Sequence, residues 1–237
     1  MKAVLVCGGL GTRLRPYTLS IPKPMLRVGN KPILEYLISL LSFYGIKDIY
    51  LTVGYLKEHF KNYFGDGSKF GVSITYFEEN ESLNTAGSIL PLKSHIDSTF
   101  LVMMGDHLTN INLKKLIDFH KRNMPLGTLV LKRLDHKLEY GLVEFDQSFF
   151  IKKFLEKPTI SHYINTGIYV FEPEIFDFIG QKEDFAMDVF PKVLQNNKKL
   201  KAYLMEEFWV DVGTTAEYEK INQIISIVEG ISLKPNF

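Results

Sequence analysis

Glycine and fixed positive charge are concentrated near the N-terminus of the 237-residue chain. A flexible loop contains Gly8, Gly9, Gly11 and Thr12. Its backbone N–H groups can face an anion. Arg13 and Lys23 follow, and residues 1–33 contain no carboxylate. Arginine grips phosphate oxygens in pairs, whereas lysine acts as a point charge. These residues indicate a polyphosphate site, although a tight structural turn would also explain the glycines.

Two aspartates stand where an unpaired carboxylate would be costly. Asp106 follows the apolar run 99–104, and Asp211 lies in the aromatic and apolar stretch 208–213. Mg²⁺ binds one or two carboxylates together with phosphate oxygens, so both aspartates could meet on one ion. Alternatively, Asp106 only caps a turn and Asp211 only caps the last helix. His107 and the other histidines show no metal-ligand spacing, so we expect solvated or core side chains there.

Hydrophobic periodicity and turn residues predict the elements that position these groups. Strands are predicted at 2–7, 48–53, 72–77, 99–104, 128–133, 141–146, 150–156, 165–171 and 200–204. Helices are predicted at 32–44, 56–64, 85–92, 113–122, 172–179, 187–196 and 214–229. Thr214 and Glu217 form a capping-box pattern at the start of the last helix. The aromatic residues Phe149, Phe150 and Phe154 are predicted to be core.

Strand and helix alternate through roughly the first 120 residues, which favours a parallel sheet covered by helices. The strand-rich middle predicts that the sheet becomes mixed, with a β ribbon over one edge. No linker or internal repeat divides the chain, so residues 1–237 are predicted to be a single domain. Ligands of such sheets bind beyond the carboxyl ends of the strands, where the polar groups described above fall.

Composition excludes several classes of protein. The net charge of +1 argues against a nucleic-acid binder. No apolar run approaches the roughly 18 residues of a membrane-spanning helix, and the N-terminus lacks a signal-peptide pattern. The single cysteine, Cys7, excludes a disulfide framework and is predicted to be a buried, inert thiol. We therefore expect a cytoplasmic protein with neither a nucleic-acid nor a membrane partner.

Taken together, the motifs resemble those of the sugar-1-phosphate nucleotidylyltransferases. The most specific is GGLGTRLRP at residues 8–16, followed by PKPM at 22–25 and NKPI at 30–33. Weaker matches follow in the order found in the family, at 81–87, 105–106, 140–141, 156–158, 165–167 and 209–213. The resemblance runs from residue 3 to about residue 218, and we expect the transferase core alone.

The resemblance implies a fold, a reaction and a cofactor. The implied fold is a Rossmann-like three-layer α/β/α sandwich with a central mixed, mostly parallel sheet. The implied reaction transfers a nucleotidyl group from an NTP to a sugar 1-phosphate and releases pyrophosphate. Arg13 and Lys23 are the implied catalytic residues, at the leaving pyrophosphate and the α-phosphate. The implied cofactor is Mg²⁺, held by Asp106 and Asp211.

By the same resemblance, the nucleotide is bound by Gly8, Gly9, Gly11, Thr12, Arg13, Lys23, Glu81, Asn84, Thr85, Ala86 and Gly87. The sugar phosphate is bound by Asp106, Gly141, Glu156, Lys157 and Asn165. Asn84 departs from the family, which usually has glycine at this position. Asparagine tolerates positive φ better than most residues, so the turn can persist. Its side chain could nevertheless alter access to the base pocket.

The sequence indicates the type of reaction more clearly than it indicates which NTP and which sugar 1-phosphate react. Mannose 1-phosphate with GTP leads, because residues 15–24 look most like guanylyltransferases. Glucose 1-phosphate with UTP, dTTP or CTP remains open, as do heptose and amino-sugar phosphates. A non-catalytic subunit that senses nucleotide sugars is a second hypothesis, but no motif Asp, Arg or Lys is missing. Exposed aromatics and family habit favour a homo-oligomer, a dimer or tetramer.

Overall fold

The structure, a computed structural model, describes residues 1–228. Its strands are β1 (Lys2–Val6), β2 (Arg27–Val28), β3 (Lys31–Pro32), β4 (Asp48–Val53), β5 (Ser73–Glu78), β6 (Phe100–Met104), β7 (His107–Thr109), β8 (Gly127–Lys137), β9 (Leu142–Phe145), β10 (Ile151–Leu155), β11 (Thr159–Phe171), β12 (Leu200–Met205) and β13 (Trp209–Asp211). Its α-helices are α1 (Ile33–Phe43), α2 (Glu58–Phe64), α3 (Asn84–Gly87), α4 (Leu113–Asn123), α5 (Phe190–Gln195) and α6 (Thr215–Val228).

Seven strands form the central sheet, in the order β12-β8-β11-β6-β1-β4-β5. Strand β1 pairs in parallel with β4 and β6, and the pairs β4–β5 and β8–β12 are also parallel. Only β11 runs antiparallel, between β6 and β8. The sheet is therefore mixed and mostly parallel, which confirms the prediction.

Both faces of the sheet are covered. On one face, Ala3 and Leu5 of β1 pack in a cluster with Leu37 of α1 and other residues of α1, α2 and α4. On the other face, Val4 packs in a second cluster with Phe185 and other residues of the 185–193 segment. Burying one such large apolar side chain stabilises the fold by about 1.5–3 kcal/mol. Strands covered on both faces are apolar throughout, which explains the continuous apolar runs in the sequence.

Two short strand pairs were not predicted, because strands of two or three residues show no periodicity. Strand β2 pairs with β3, and β7 pairs with β13 in the antiparallel direction. Helix α6 packs its Ile221 and Ile225 in a cluster with Leu14 and Val28 of the N-terminal segment. The α6 start agrees with the predicted capping box, since the Thr214 hydroxyl accepts the backbone N–H of Glu217.

Some predicted helices are shorter or divided. The 85–92 segment forms α3 and a separate 3₁₀ turn, Leu90–Leu92. The helix predicted at 187–196 begins earlier, with a π-helical turn, Phe185–Val189, that continues into α5. It begins there because the Asp184 carboxylate accepts the N–H groups of Ala186 and Met187 as an N-cap. The last position predicted to be helical, residue 229, lies outside the described residues.

The prediction that the aromatic cluster is core was wrong. Strands β9 and β10 form a separate two-stranded sheet, and residues 142–155 are called the apolar ribbon below. Phe149, Phe150 and Phe154 are 79%, 70% and 60% exposed. Aromatic content indicates a preference for burial, but it cannot show whether another element covers a given strand pair. Of the helices within residues 1–228, none is long and apolar enough to cross a membrane.

Candidate active site

Lys23 is a buried cation held on a rigid turn. The turn Lys23–Met25 is a 3₁₀ helix with Pro22 before it and Pro24 within it. Proline restricts φ, and the backbone N–H of Met25 donates to the carbonyl of Pro22 at 2.8 Å. Lys23 is only 7% exposed. Its side chain is therefore aimed in one direction by a backbone with little freedom.

The Lys23 ammonium lies between two carboxylates. Nζ is 2.5 Å from Oδ2 of Asp106 and 2.8 Å from Oδ1 of Asp211. Asp106 follows β6 at the carboxyl end of the sheet, whereas Asp211 is 188 residues beyond Lys23 in the chain. Asp211 reaches the group because β13 pairs with β7 in a register that sets Asp211 opposite His107. The structure thus brings together three residues that the sequence predicted separately.

The charges in this group favour the ionised forms of Lys23 and Asp106. Burial alone would lower the pKa of Lys23, but the Asp106 and Asp211 carboxylates raise it, and the net shift is upward. Burial would also raise the pKa of Asp106, yet His107 and Lys23 outweigh it and hold that pKa below its usual value. Opposite charges within hydrogen-bonding distance therefore overcome the desolvation of each group.

His107 belongs to this site, contrary to the expectation of an ordinary solvated or core histidine. Its Nε2 lies 3.4 Å from Oδ1 of Asp106 and 3.7 Å from Oδ1 of Asp211. Its ring stands edge-on to Trp209, with 5.2 Å between ring centroids. No sequence spacing indicated this role, because the strand pair β7–β13 creates it. The only signal in the sequence was that His107 directly follows Asp106.

Asp106, His107 and Asp211 could hold a divalent cation. Among the described residues, they form a group whose possible ligand atoms all lie within 4.8 Å of one another. Carboxylate oxygens suit Mg²⁺, and an imidazole nitrogen is also acceptable to Mn²⁺ and later transition metals. The donor set and its compactness therefore fit the metal that the resemblance implies.

A cavity of about 250 Å³ adjoins this group. Its lining includes the predicted residues Gly9, Gly11, Thr12, Arg13, Lys23 and Asp106, together with Val6, Cys7, Leu14, Pro24 and Gly213. Gly11 has a φ of +61°, and the Thr18 hydroxyl donates to its carbonyl at 2.8 Å. Glycine suits this position because a left-handed backbone strains other residues. The glycine loop and the buried lysine therefore share one cavity.

Gly8 lies beside the carboxylate of Glu79. A Cβ on Gly8 would lie 2.7 Å from Oε2 of Glu79, so a larger residue would require the Glu79 carboxylate to shift. Glu79 was not singled out from the sequence. It directly follows β5, and its backbone N–H donates to the carbonyl of Val53.

Helix α3, which carries the predicted base-pocket residues, is held by the segment 181–185. The Thr85 hydroxyl donates to Asp184 at 2.7 Å, and the N–H of Ala86 donates to the carbonyl of Glu183. Asn84 has a φ of +59°, and its side-chain amide donates to the carbonyl of Lys182 at 2.8 Å. The turn expected at Asn84 therefore persists. Its side chain is bonded to a neighbouring segment.

A second cavity of about 360 Å³ lies beside this segment. It is lined by Glu81, Leu83, Gly87, Leu90, Pro91, Gln181 and Lys182. Glu81 and Gly87 are the predicted nucleotide-binding residues among them. Glu81 is exposed and forms a surface ion pair with Lys182 at 2.8 Å, at the rim of this cavity.

Of the residues predicted to bind the sugar phosphate, Asp106 lines the first cavity, whereas the other four lie outside it. Gly141 and Glu156 are brought together, since a Cβ on Gly141 would lie 3.0 Å from Oε2 of Glu156. Asn165 accepts the N–H of Gly167, and a Cβ on Gly167 would lie 2.9 Å from the His107 ring. The Asn165 segment is therefore adjacent to the carboxylate group. Lys157 is exposed at the end of the apolar ribbon.

Comparison with known proteins gives a consistent result. The family model described as Nucleotidyl transferase matches residues 2–226. The chain is 36% identical over 262 residues to a UTP–glucose-1-phosphate uridylyltransferase of Synechocystis, covering 99% of this chain and 68% of that protein. It is 36% identical over 230 residues to a mannose-1-phosphate guanyltransferase of Kluyveromyces lactis, covering 92% and 63%. The chain spans 60–68% of the length of such curated relatives.

The solved structures agree with the sequence relatives. HddC from Yersinia pseudotuberculosis superposes with a TM-score of 0.76 at 26% identity, covering 94% of this chain and 99% of that chain. HddC has also been solved complexed with GMP-PN. The shared architecture confirms the predicted Rossmann-like, three-layer fold class.

Proposed function

The chain belongs to the nucleotidyl transferase family, and from that premise we propose that it transfers a nucleotidyl group from an NTP to a sugar 1-phosphate, releasing pyrophosphate. One observation carries the proposal. Lys23 lies between Asp106 and Asp211 on the wall of the cavity that the glycine loop also lines. We propose that residues 1–237 form a single nucleotidyltransferase domain.

The chemistry needs no general base and no covalent nucleophile. The attacking oxygen of a sugar 1-phosphate is already an anion, so the barrier lies in bringing anions together and spreading charge at phosphorus. Fixed cations lower such a barrier by positioning and by electrostatic stabilisation. Lys23 would neutralise the α-phosphate, and Arg13 on the same cavity would hold the leaving pyrophosphate. The backbone amides of Gly9 and Gly11 would face the triphosphate.

A divalent cation, which we propose to be Mg²⁺, would be held by Asp106 and Asp211. Such an ion, when bound, neutralises phosphate oxygens and templates the two substrates. His107 Nε2 lies near both carboxylates and could act as a third ligand.

The two substrates would contact different elements of the structure. We propose that the nucleotide contacts the glycine loop together with Glu81, Asn84, Thr85, Ala86 and Gly87. We propose that the sugar phosphate contacts Asp106, Gly141, Glu156, Lys157 and Asn165. The proximity of Gly141 to Glu156, and of the Asn165 segment to His107, supports the second assignment. Lys157 would pair with the phosphate as a flexible point charge.

The leading substrate pair is mannose 1-phosphate with GTP. The resemblance of residues 15–24 and several relatives named as mannose-1-phosphate guanylyltransferases support it. Glucose 1-phosphate with UTP is the second candidate, because the Synechocystis relative bears that name at the same 36% identity. We also propose a cytoplasmic homo-oligomer, for which the exposed apolar ribbon is the supporting observation.

The test is pyrophosphate release measured over a grid of NTPs and sugar 1-phosphates, with Mg²⁺ and with a chelator. We expect mannose 1-phosphate with GTP to be the best pair and the chelator to abolish release. Lys23→Ala and Asp106→Ala should each lower kcat by at least about a hundredfold, as loss of a transition-state contact does. Lys47→Ala, an exposed lysine preceding β4, is the matched control.

Silence across the whole grid would contradict the proposal and favour a regulatory, nucleotide-sugar-sensing subunit. Near-normal release by a folded Lys23→Ala or Asp106→Ala variant would contradict the assigned roles. Thermal melting of each variant separates a loss of chemistry from a loss of fold, because each substitution breaks the partly buried Lys23–Asp106 ion pair.

A further inference from the structure

The carboxylates of Asp106 and Asp211 already have partners within the chain. The proposed function gives these aspartates a divalent cation and gives Lys23 a phosphate. In the structure, Lys23 Nζ lies 2.5 Å from Oδ2 of Asp106 and 2.8 Å from Oδ1 of Asp211. His107 Nε2 faces Oδ1 of Asp106 at 3.4 Å and Oδ1 of Asp211 at 3.7 Å. A nitrogen of the chain therefore faces three of the four carboxylate oxygens.

Lys23 compensates the charge of these two aspartates. Within the part of the chain that the structure describes, it is the only lysine or arginine that pairs with either of them. The Lys23 side chain is 9% exposed, and those of Asp106 and Asp211 are 27% and 35% exposed. Charges that are partly removed from water are screened little by salt. The Lys23 ammonium therefore occupies the place between the carboxylates that suits a cation.

A divalent cation on the same aspartates would share their oxygens with Lys23. Mg²⁺ binds a carboxylate oxygen at about 2.1 Å, which is closer than an ammonium approaches. With both cations present, two carboxylates would face three positive charges in a partly buried site. Like charges at such short range repel each other strongly where water is scarce. The group therefore favours one of the two cations at a time, unless an anion joins it.

Lys23 can leave the carboxylates without a change of fold. Its backbone is held in the turn Lys23–Met25, whereas its four-carbon side chain is flexible. The side chain lines the same cavity as Gly11 and Arg13. An ammonium released from the aspartates would remain in this cavity, where the proposed function places phosphate oxygens.

We infer that Lys23 and the divalent cation compete for Asp106 and Asp211, so that metal binding displaces the Lys23 ammonium from these carboxylates. The inference rests on the proposed function, because it takes the two aspartates to be metal ligands. The displaced ammonium becomes available to an anion. Lys23 thereby weakens the binding of a metal ion on its own.

The first test measures binding of Mn²⁺ to the full chain without either substrate, so that turnover is not needed. The electron paramagnetic resonance signal of unbound Mn²⁺ reports the fraction that remains free. Lys23→Met keeps the length of the side chain and removes its charge. We expect Lys23→Met to bind Mn²⁺ at least about tenfold tighter than the unmodified chain, as is typical of two coupled binding events.

Arg13→Met is the matched control for the loss of one positive charge from this cavity. Arg13 is exposed, so its effect on a bound ion is screened by solvent. We expect Arg13→Met to change the Mn²⁺ affinity by less than about threefold. Equal tightening in Arg13→Met and Lys23→Met would indicate a general effect of charge and would overturn the inference. An affinity that is unchanged or weaker in Lys23→Met would overturn it as well.

The second test follows Lys23 itself in the unmodified chain, and therefore does not depend on the folding of Lys23→Met. Nuclear magnetic resonance of a chain with isotope-labelled lysine nitrogens detects ammonium groups held in ion pairs. The Lys23 resonance is assigned by its loss in Lys23→Arg. We expect this resonance to shift or disappear in step with Mg²⁺ occupancy. A Lys23 resonance that is unchanged at Mg²⁺ concentrations that displace bound Mn²⁺ would overturn the inference.

Failure of the inference and failure of the proposed function give different results. If pyrophosphate release requires Mg²⁺ while the Lys23 resonance stays unchanged, the proposed function stands and the inference fails. If Mg²⁺ displaces Lys23 but no NTP reacts with any sugar 1-phosphate, the inference stands and the proposed function fails.

Discussion

At the scale of single residues, the site depends on Lys23 and its two carboxylates. A buried ion pair contributes little net stability, because desolvating the charges offsets much of their attraction. The arrangement of Lys23 with Asp106 and Asp211 is therefore better explained by chemistry than by folding energy. The turn that carries Lys23 is stiffened by two prolines, so the ammonium is positioned before any substrate binds. Preorganised charge of this kind requires little rearrangement during the reaction.

Near this site, the backbone of Gly105 packs tightly against the side chain of Cys7. A Cβ on Gly105 would lie 2.3 Å from Sγ of Cys7. Burial first, and then the charges of Asp106 and Glu79, raise the pKa of the Cys7 thiol. The thiol is buried, as the sequence predicted. It fills the space beside a glycine that admits no side chain.

We expect Gly105→Ala to destabilise the protein by about 1–3 kcal/mol, because the added methyl group overpacks the sulfur. Cys7→Ala in the same chain should recover part of that loss, since it removes the overlapping atom. Urea denaturation of the two single variants and the double variant measures the interaction energy.

Gly9→Ala is the matched control for Gly105→Ala, because a Cβ on Gly9 meets no atom within 4 Å. Its free energy of unfolding should change by less than about 0.5 kcal/mol. If Gly105→Ala were no more destabilising than Gly9→Ala, the close packing of Gly105 against Cys7 would be contradicted.

At the scale of elements, the position of helix α3 depends on hydrogen bonds to another segment of the chain. It has only four residues and cannot be stable alone, because helix nucleation is unfavourable. The segment 181–185 holds it through hydrogen bonds from Asn84, Thr85 and Ala86. The conformation of the proposed base-binding segment therefore depends on residues about a hundred positions later in the chain.

Asn84 contributes to this attachment in two separable ways. Asn84→Gly removes the hydrogen bond to Lys182 but tolerates positive φ, so we expect a loss of about 1 kcal/mol in unfolding free energy. Asn84→Ala removes the bond and also strains the backbone, so we expect a loss of about 2–3 kcal/mol. Chemical denaturation of both variants gives the difference. Equal losses would mean that the left-handed backbone at Asn84 carries no cost.

At the scale of the whole molecule, the apolar ribbon exposes several aromatic side chains. Its most exposed large side chains are Phe145, Phe149, Phe150, Ile151 and Phe154, between 58% and 79% exposed. Soluble monomers rarely expose contiguous apolar patches larger than a few hundred Å². A surface of this kind is typical of an interface, which supports the proposed homo-oligomer.

We expect the double variant Phe149→Ser/Phe150→Ser to shift the mass measured by sedimentation from an oligomer towards a monomer. The reason is that burial of two large apolar side chains per subunit would be lost from the interface. Stability of the folded subunit should change little, because both side chains are exposed in it. Leu194→Ser, an exposed apolar residue on α5, is the control and should leave the mass unchanged. An unmodified chain that sediments as a monomer would contradict the expectation.

The sequence by itself determined most strands of the central sheet and much of the chemistry. Alternating strands and helices predicted a mixed, mostly parallel sheet, and the apolar run ending at Cys7 predicted its burial. Local periodicity and capping patterns depend on neighbouring residues, so a single sequence records them. The glycine loop with Arg13 and Lys23 could likewise be recognised, because these residues are close together in the chain.

Only the tertiary structure decided which distant groups meet. Asp211 joins Lys23 across 188 residues through a three-residue strand pair that has no periodicity to detect. The same pairing brings in His107, and strand ends at the edge of the sheet set Glu79 against Gly8. The exposure of Phe150 was likewise misjudged from the sequence. In each case the outcome depends on which elements pack together, and local residue patterns do not encode that.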